Sequence, residues 1–140
     1  ASLPRQFLLI PPFRFGIVGN GVARGAYPTN RNFRFLTRLH LKTILSLIPK
    51  EPVCELKAFC EEKNIVLKHF KVAKSRDEVK IEQSLIVEIL QILINKDNHP
   101  MYIHCLDGRN TTGIFLMCLR KLQNWNLSFI LTEFSRYSST

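Results

Sequence analysis

The chain has 140 residues, of which 46% are hydrophobic and 22% are charged, so it has the composition of a globular domain rather than of a disordered segment. No apolar run approaches the roughly 18 residues of a membrane span. The net charge of +9 favours anionic partners, and without an aromatic-basic or zinc-finger pattern we expect no nucleic acid among them. The four cysteines, with no secretory signal, are expected to be reduced thiols in the cytoplasm or nucleus.

The N-terminal quarter of the chain is predicted to contain an arm, a hairpin and a helix. Residues 1–12 include three prolines and are expected to form an extended arm, followed by a single domain over 13–140. An Asn-Gly pair in the middle of Phe15–Arg24 predicts a two-residue hairpin turn. Apolar residues then recur on one helical face over Asn30–Leu39, with Asn30 as the predicted N-terminal cap.

The rest of the chain alternates between short apolar strands and amphipathic helices. The predicted strands are Thr43–Ile48, Ile65–Phe70 and Met101–His104, and the predicted helices are Pro52–Lys63, Ile81–Ile94, Ile114–Leu122 and Leu127–Tyr137. Strands that alternate with helices in this way form parallel sheets. The sequence therefore predicts an α/β fold with a central, mostly parallel sheet flanked by helices.

Cys105 ends a predicted strand and is followed by a glycine-bearing loop and then a helix. In such a loop several backbone N–H groups can converge on one point, and the helix N-terminus adds positive potential, so a phosphate fits there. The same field favours the thiolate form of a cysteine. A lone cysteine is usually a small buried hydrophobe, but this context predicts a nucleophile that attacks a phosphomonoester. The predicted phosphate-binding residues are Leu106, Asp107, Gly108, Arg109, Asn110, Thr111 and Thr112.

Other ligand-binding motifs fail on their spacing. Gly108 and Gly113 have the glycine spacing of a nucleotide-binding loop, but Ile114 stands where that loop needs lysine. His104 and the cysteines form no CxxC or HxxxH pair. We therefore expect no metal ion and no cofactor.

Further short motifs, in a fixed order, extend from Pro11 to Tyr137. They are Phe15-Gly16-Ile17-Val18, Asn20-Gly21-Val22-x-Arg24-Gly25, Tyr27-Pro28, Asn32-Phe33-x-Phe35-Leu36, Leu41-Lys42-Thr43-Ile44, Asn98-His99-Pro100, Ile103-His104-Cys105, Gly108, Thr112-Gly113 and Cys118-Leu119-Arg120-Lys121-Leu122-Gln123-x-Trp125. Through them the chain resembles the plant-and-fungal atypical dual-specificity phosphatases, a branch of the cysteine phosphatases.

The resemblance implies a sandwich of helices around a sheet, with the phosphate loop between the last strand and a helix. It implies dephosphorylation through a cysteinyl-phosphate intermediate without metal. Substrate classes in this branch are inositol pyrophosphates, phosphoinositides and phosphotyrosine peptides. The family takes its general acid from the segment before the long helix, where this sequence offers Asp77 and Glu78, followed by Glu82.

The sequence departs from the family pattern at one position of the loop. That pattern is His-Cys, five residues, arginine, serine or threonine, and glycine, whereas Thr111 occupies the arginine position here. Arg109 falls where relatives commonly have lysine, and Asn110 where many have histidine.

Two functions are compatible with this departure. In the first, a phosphatase-fold protein with lost or severely impaired catalysis binds a phosphorylated small molecule, a phosphopeptide or a partner protein. In the second, Cys105 is the nucleophile of an active phosphatase that hydrolyses phosphotyrosine or inositol polyphosphates, with Arg109 substituting for the arginine.

Five further residues are expected to have structural roles. Thr112 is expected to bond the thiolate or the loop backbone, and His104 to hold the loop by a hydrogen bond. Arg24 is expected to pair with a carboxylate or to lie at the pocket rim. Trp125 and Cys118 are expected to be buried.

Overall fold

The computed structural model describes residues 8–19, 21–73 and 81–138. Its strands are β1 (Gly16–Gly19), β2 (Val22–Gly25), β3 (Thr43–Leu47), β4 (Val66–Phe70) and β5 (Met101–His104). They form one sheet in the order β1-β2-β5-β3-β4. The pair β1–β2 is antiparallel, as the hairpin prediction requires, and the other pairs are parallel. The predicted mostly parallel sheet is confirmed.

Helices cover both faces of this sheet. They are α1 (Phe33–Thr37), α2 (Cys54–Glu62), α3 (Gln83–Ile94), α4 (Asn110–Leu122) and α5 (Leu127–Ser138). On one face α1 and α2 contribute to a cluster of buried apolar side chains, and on the other α3 and α4 do so. Helix α5 packs against α4. None of the helices in the described ranges is long and apolar enough to cross a membrane.

The neighbouring strands β3 and β5 are buried on both faces, which explains why their sequences are mostly apolar. Successive side chains of a strand point to opposite faces. Ile44 and Tyr102 therefore pack against α1 and α2, whereas Leu45 and Ile103 pack against α3 and α4. Because β5 lies between β2 and β3, the loop that follows it emerges at the middle of the carboxyl edge of the sheet, where ligands bind in open α/β sheets.

Helix α4 begins at Asn110, ahead of the predicted start at Ile114. The N–H of Gly113 donates to the carbonyl of Arg109 at 2.9 Å, so the first helical turn includes the two threonines of the loop. Apolar periodicity begins only after this turn, which is why the prediction placed the start too late. The N-terminal end of the helix consequently lies closer to Cys105 than the sequence indicated.

The predicted cap at Asn30 is wrong. A 3-10 turn spans Asn30–Asn32 ahead of α1, and Thr29 is its N-cap residue. The Oδ1 atom of Asn32 accepts hydrogen bonds from the Thr29 N–H at 2.9 Å and from its hydroxyl at 3.2 Å. Asn30 is the first residue of this turn, one position after the N-cap, so it is not the capping residue.

Arg120 joins α4, α5 and β1 through one buried guanidinium. It donates to both carboxylate oxygens of Glu133, at 3.0 and 2.9 Å, and to the carbonyl of Val18. Its guanidinium carbon lies 3.9 Å from the centroid of the Trp125 ring. Trp125 is 40% exposed and Cys118 is half-buried, so the prediction that both are buried is wrong. The ring of Trp125 covers the cation from the solvent side instead.

We expect Arg120→Met to lower the free energy of unfolding by about 3–5 kcal/mol, because it leaves the Glu133 carboxylate mostly buried without its partner. Urea denaturation followed by circular dichroism measures this. Lys57→Met is the matched control, since the Lys57–Glu51 ion pair, at 3.2 Å, is exposed on both sides and should contribute less than about 1 kcal/mol. Equal losses in the two variants would contradict the role assigned to Arg120.

Candidate active site

Cys105 follows β5 directly and is buried, with 3% of its surface exposed. The backbone N–H of Gly108 donates to its Sγ atom at 3.2 Å. The loop thus turns back over the cysteine and directs an amide at the sulfur. The predicted phosphate-binding residues occupy this loop and the first turn of α4.

Gly108 has a backbone conformation that requires glycine. Its φ is +76°, and a Cβ atom built there would lie 2.8 Å from the nitrogen of Ala26 and from the carbonyl carbon of Gly25. The loop therefore packs directly against the end of β2. Any side chain at residue 108 would push the loop away from the sheet and move the amide that contacts Cys105.

Arg24, on β2, supports the loop from beneath. Its side chain is 2% exposed, and Nη2 donates to the carbonyl of Gly108 at 3.1 Å. The guanidinium carbon lies 3.8 Å from the centroid of the Tyr137 ring on α5. Burial lowers the pKa of Arg24, while attraction to Tyr137 and Glu133 opposes that shift. The predicted rim position is wrong, because the strand directs this side chain under the loop. Of the predicted pairing with a carboxylate, the described residues show only the electrostatic attraction of Glu133.

Three further hydrogen bonds join the loop and β5 to the segments that precede β1 and follow β2. Arg14 Nη1 donates to the carbonyl of Asp107 at 3.1 Å, and the Tyr27 N–H donates to that of Leu106 at 3.3 Å. The Tyr102 hydroxyl donates to the carbonyl of Ala26 at 2.6 Å. Sequence reasoning missed these contacts, since each joins segments distant along the chain.

His104 is fully buried, and its two ring nitrogens have different partners. Nδ1 lies 2.9 Å from the carbonyl of Cys105, which can only accept, so Nδ1 carries the hydrogen. In the neutral ring Nε2 then accepts from the Ser46 hydroxyl at 2.6 Å. Burial lowers the pKa of His104 to about 4, which keeps the ring neutral. The predicted hydrogen bond from His104 to the loop is confirmed, and Ser46 on β3 orients the ring.

Asp107 brings a carboxylate to the cysteine. Its Oδ1 accepts from the backbone N–H of Arg109 at 3.0 Å and lies 3.7 Å from Cys105 Sγ. The sequence placed Asp107 in the loop but gave no sign that its side chain would turn inward.

Two side chains at the start of α4 are buried, Thr111 at 8% and Thr112 at 0% exposure. Within the described residues Thr112 Oγ1 has no hydrogen-bond partner. The expected bond from Thr112 to the sulfur or the loop backbone is therefore wrong, because the early start of α4 places the hydroxyl in the packed first turn. Arg109 Nε is likewise buried with no hydrogen-bond partner among the described residues.

Asp77 and Glu78, the predicted general acids, lie outside the described residues. Glu82 is the N-cap residue of α3 and is exposed. Within the described ranges no three His, Cys, Asp or Glu side chains come together as a metal site.

Comparison with known sequences shows that the chain is similar to phosphatases over nearly its whole length. Residues 9–140 match the sequence model of the tyrosine phosphatase family. A probable tyrosine-protein phosphatase of Dictyostelium discoideum is 37% identical over 132 residues, covering 94% of this chain and 80% of that protein. The inositol diphosphatase SIW14 of Saccharomyces cerevisiae is 38% identical over 132 residues, covering 93% of this chain and 47% of that protein.

Solved structures agree with the sequence comparison. The core catalytic domain of the PP-IP phosphatase SIW14 from S. cerevisiae, crystallised with citrate, matches with a TM-score of 0.89 at 38% identity, covering 94% of this chain and 79% of that one. The P. aeruginosa protein TpbA matches with a TM-score of 0.72 at 22% identity and covers 88% and 73% of the two chains, which is a likeness of fold.

We expect the free energy of unfolding to fall as the pH is lowered through the window from about 6.5 to about 4. The unfolded chain protonates His104 near its ordinary pKa, whereas burial lowers the folded-state pKa to about 4, so the unfolded state binds more protons throughout this window. The contribution is on the order of 2–3 kcal/mol between about pH 7 and about pH 4.5.

Urea denaturation at several pH values measures this loss. His104→Asn keeps an N–H donor for the Cys105 carbonyl and should lose this part of the pH dependence. His40→Asn is the matched control, because it removes a histidine from an exposed turn with φ of +51°, which asparagine tolerates. A His104→Asn variant with the full wild-type pH dependence would refute the assignment.

Proposed function

Because this chain belongs to the tyrosine phosphatase family, we propose that its Cys105 loop binds the phosphoryl group of a phosphorylated small molecule or phosphopeptide. We propose further that hydrolysis is lost or severely impaired, since Thr111 stands at the position of the arginine that grips the phosphoryl oxygens in the family pattern. The function is therefore that of a phosphate-binding protein built on a phosphatase fold.

The observation that carries the binding proposal is the position of Cys105 and Gly108 at the N-terminus of α4. The Gly108 amide already points at Sγ, at 3.2 Å. The first N–H groups of a helix have no acceptor within it and attract anions. Because these donors belong to the backbone, replacement of the arginine side chain leaves them in the loop.

The proposal of impaired catalysis depends on what Thr111 cannot do. In the reaction implied by the family, Cys105 Sγ forms a bond to phosphorus while the ester P–O bond breaks and the leaving oxygen gains a proton. A planar guanidinium binds two phosphoryl oxygens at once and helps most as charge develops on them. By analogy with arginine fingers, its loss corresponds to about 10³–10⁵ in rate, or about 4–7 kcal/mol. A threonine hydroxyl offers one neutral donor.

Arg109 supports an alternative, an active phosphatase in which it replaces the missing arginine. Its Nε atom is buried without a hydrogen-bond partner in the part of the chain that the structure describes. Its backbone lies in the loop itself, between Gly108 and the first residue of α4. A loop with a different path would be needed to direct this guanidinium at a phosphoryl group above Cys105.

The ligand class that we favour is an inositol pyrophosphate or a similar polyphosphate. The relative SIW14 is an inositol diphosphatase, and the net charge of +9 suits a ligand with many negative charges. A phosphotyrosine peptide is the second class, since the Dictyostelium relative is a probable tyrosine-protein phosphatase.

We expect Thr111→Arg to raise turnover of an activated aryl phosphate by roughly a hundredfold or more. The new guanidinium would supply the missing bidentate contact, and the following Thr112 and Gly113 already match the family, so the loop should keep its position. An activated leaving group departs with little protonation, so this substrate tests the arginine apart from the general acid. Release of the aryl alcohol, followed by absorbance, is the measurement.

The control is Thr111→Arg combined with Cys105→Ser, in which the gain should vanish because the nucleophile is gone. Rapid wild-type turnover that requires Cys105 and that Arg109→Ala abolishes would establish Arg109 as the phosphate-gripping residue and refute impaired catalysis.

A further inference from the structure

We infer that Asp107 is a specificity-determining residue of the phosphate loop, which it makes selective against free inorganic phosphate. This inference rests on the proposed function, because it assumes that the loop binds phosphoryl groups. The family pattern assigns no part to this residue, which is one of the five positions between the cysteine and the arginine.

The first argument is competition for a backbone donor. The Arg109 N–H donates to Asp107 Oδ1 at 3.0 Å, immediately before the first residue of α4. A phosphate above Cys105 would use the amides of this segment as donors. One of those amides already has an anionic acceptor, so an incoming phosphate must displace the carboxylate or bind with one donor fewer.

The second argument is charge. Asp107 Oδ1 lies 3.7 Å from Cys105 Sγ, the atom against which a phosphoryl group must rest. The contact itself is a hydrogen bond from the Cys105 thiol to the carboxylate. A phosphoryl group against the sulfur, however, brings its own negative charge close to Asp107, and like charges repel more strongly in a partly buried site than in water. The carboxylate therefore opposes the same anion that the helix N-terminus attracts.

The third argument is that the carboxylate is held in place by its backbone. Arg14 Nη1 donates to the Asp107 carbonyl at 3.1 Å, and the Tyr27 N–H fixes the preceding carbonyl of Leu106 at 3.3 Å. The conformation of Gly108 fixes the residue that follows. The backbone on both sides of Asp107 is thus restrained, and from it the partly buried side chain reaches the sulfur.

A small free phosphate has only the loop to bind, so it bears the whole effect of the carboxylate. A ligand with several phosphoryl groups can offset it through contacts elsewhere on a basic protein. Asp107 thereby lowers the affinity of the loop for a single phosphate more than its affinity for a ligand with several phosphoryl groups.

The test is titration of the ¹⁵N-labelled protein with inorganic phosphate, following the amide signals of Gly108, Arg109 and Thr111. Asp107→Asn removes the charge but keeps an oxygen acceptor for the Arg109 N–H, so the loop should keep its shape. We expect its dissociation constant for phosphate to fall roughly tenfold or more relative to wild type. Asp107→Ala also frees the amide and should bind phosphate at least as tightly as Asp107→Asn.

Asp97→Asn is the matched control, because it changes the net charge equally. Asp97 lies in the turn Lys96–Asn98 that precedes β5, at the end of the strand opposite to the loop. If Asp97→Asn tightened phosphate binding as much as Asp107→Asn, overall charge would explain the effect and the inference would be refuted.

Two other outcomes separate this inference from the proposed function. Equal affinities of wild type, Asp107→Asn and Asp107→Ala, with the loop amides shifting in all three, would overturn the role of Asp107 and leave the phosphate-binding loop standing. Loop amides that shift in none of the three would overturn the proposed function, and the inference with it.

Discussion

The site depends on the close packing of Gly108 against β2, because this one residue connects the sheet to the nucleophile position. Its carbonyl accepts from the buried Arg24 and its N–H donates to Cys105 Sγ. The two groups belong to one residue with a positive φ, so a shift of its backbone disturbs both contacts. A side chain at Gly108 would collide with the backbone of β2, which is why the loop, and with it the position of every amide around the sulfur, requires glycine there.

The support of this loop extends to the C-terminal helix. Tyr137 on α5 covers the guanidinium of Arg24, and its hydroxyl lies so close to Gly16 on β1 that a Cβ atom there would clash with it. Helix α5 is held in turn by the buried pair of Arg120 and Glu133. The phosphate loop thus rests on contacts among β1, β2, α4 and α5, and a helix far from Cys105 in sequence contributes to its geometry.

Binding and catalysis make different demands on this loop. Binding a phosphate needs donors that match its ground state, and the backbone of the loop and of α4 supplies them. Acceleration of the reaction needs groups that interact more strongly with the transition state, which is the part of a bidentate arginine. Thr111 removes mainly the second contribution. Asp107 acts on the first, since its carboxylate lies beside the sulfur and engages the Arg109 amide.

The sequence by itself determined the alternation of strands and helices, the hairpin and the position of Cys105 between a strand and a helix, since apolar periodicity and turn residues are local signals. It also placed Thr111 in register between loop positions that match the family; the general acid at Asp77 or Glu78 stays a prediction. Only the tertiary structure decided that Arg24 supports Gly108, that Ser46 orients His104 and that Asp107 turns toward the sulfur. The first two pairs lie 84 and 58 residues apart and meet because β5 is inserted between β2 and β3. Asp107 is local in sequence, but its place beside the sulfur depends on the conformation of the loop, in which Gly108 packs against β2.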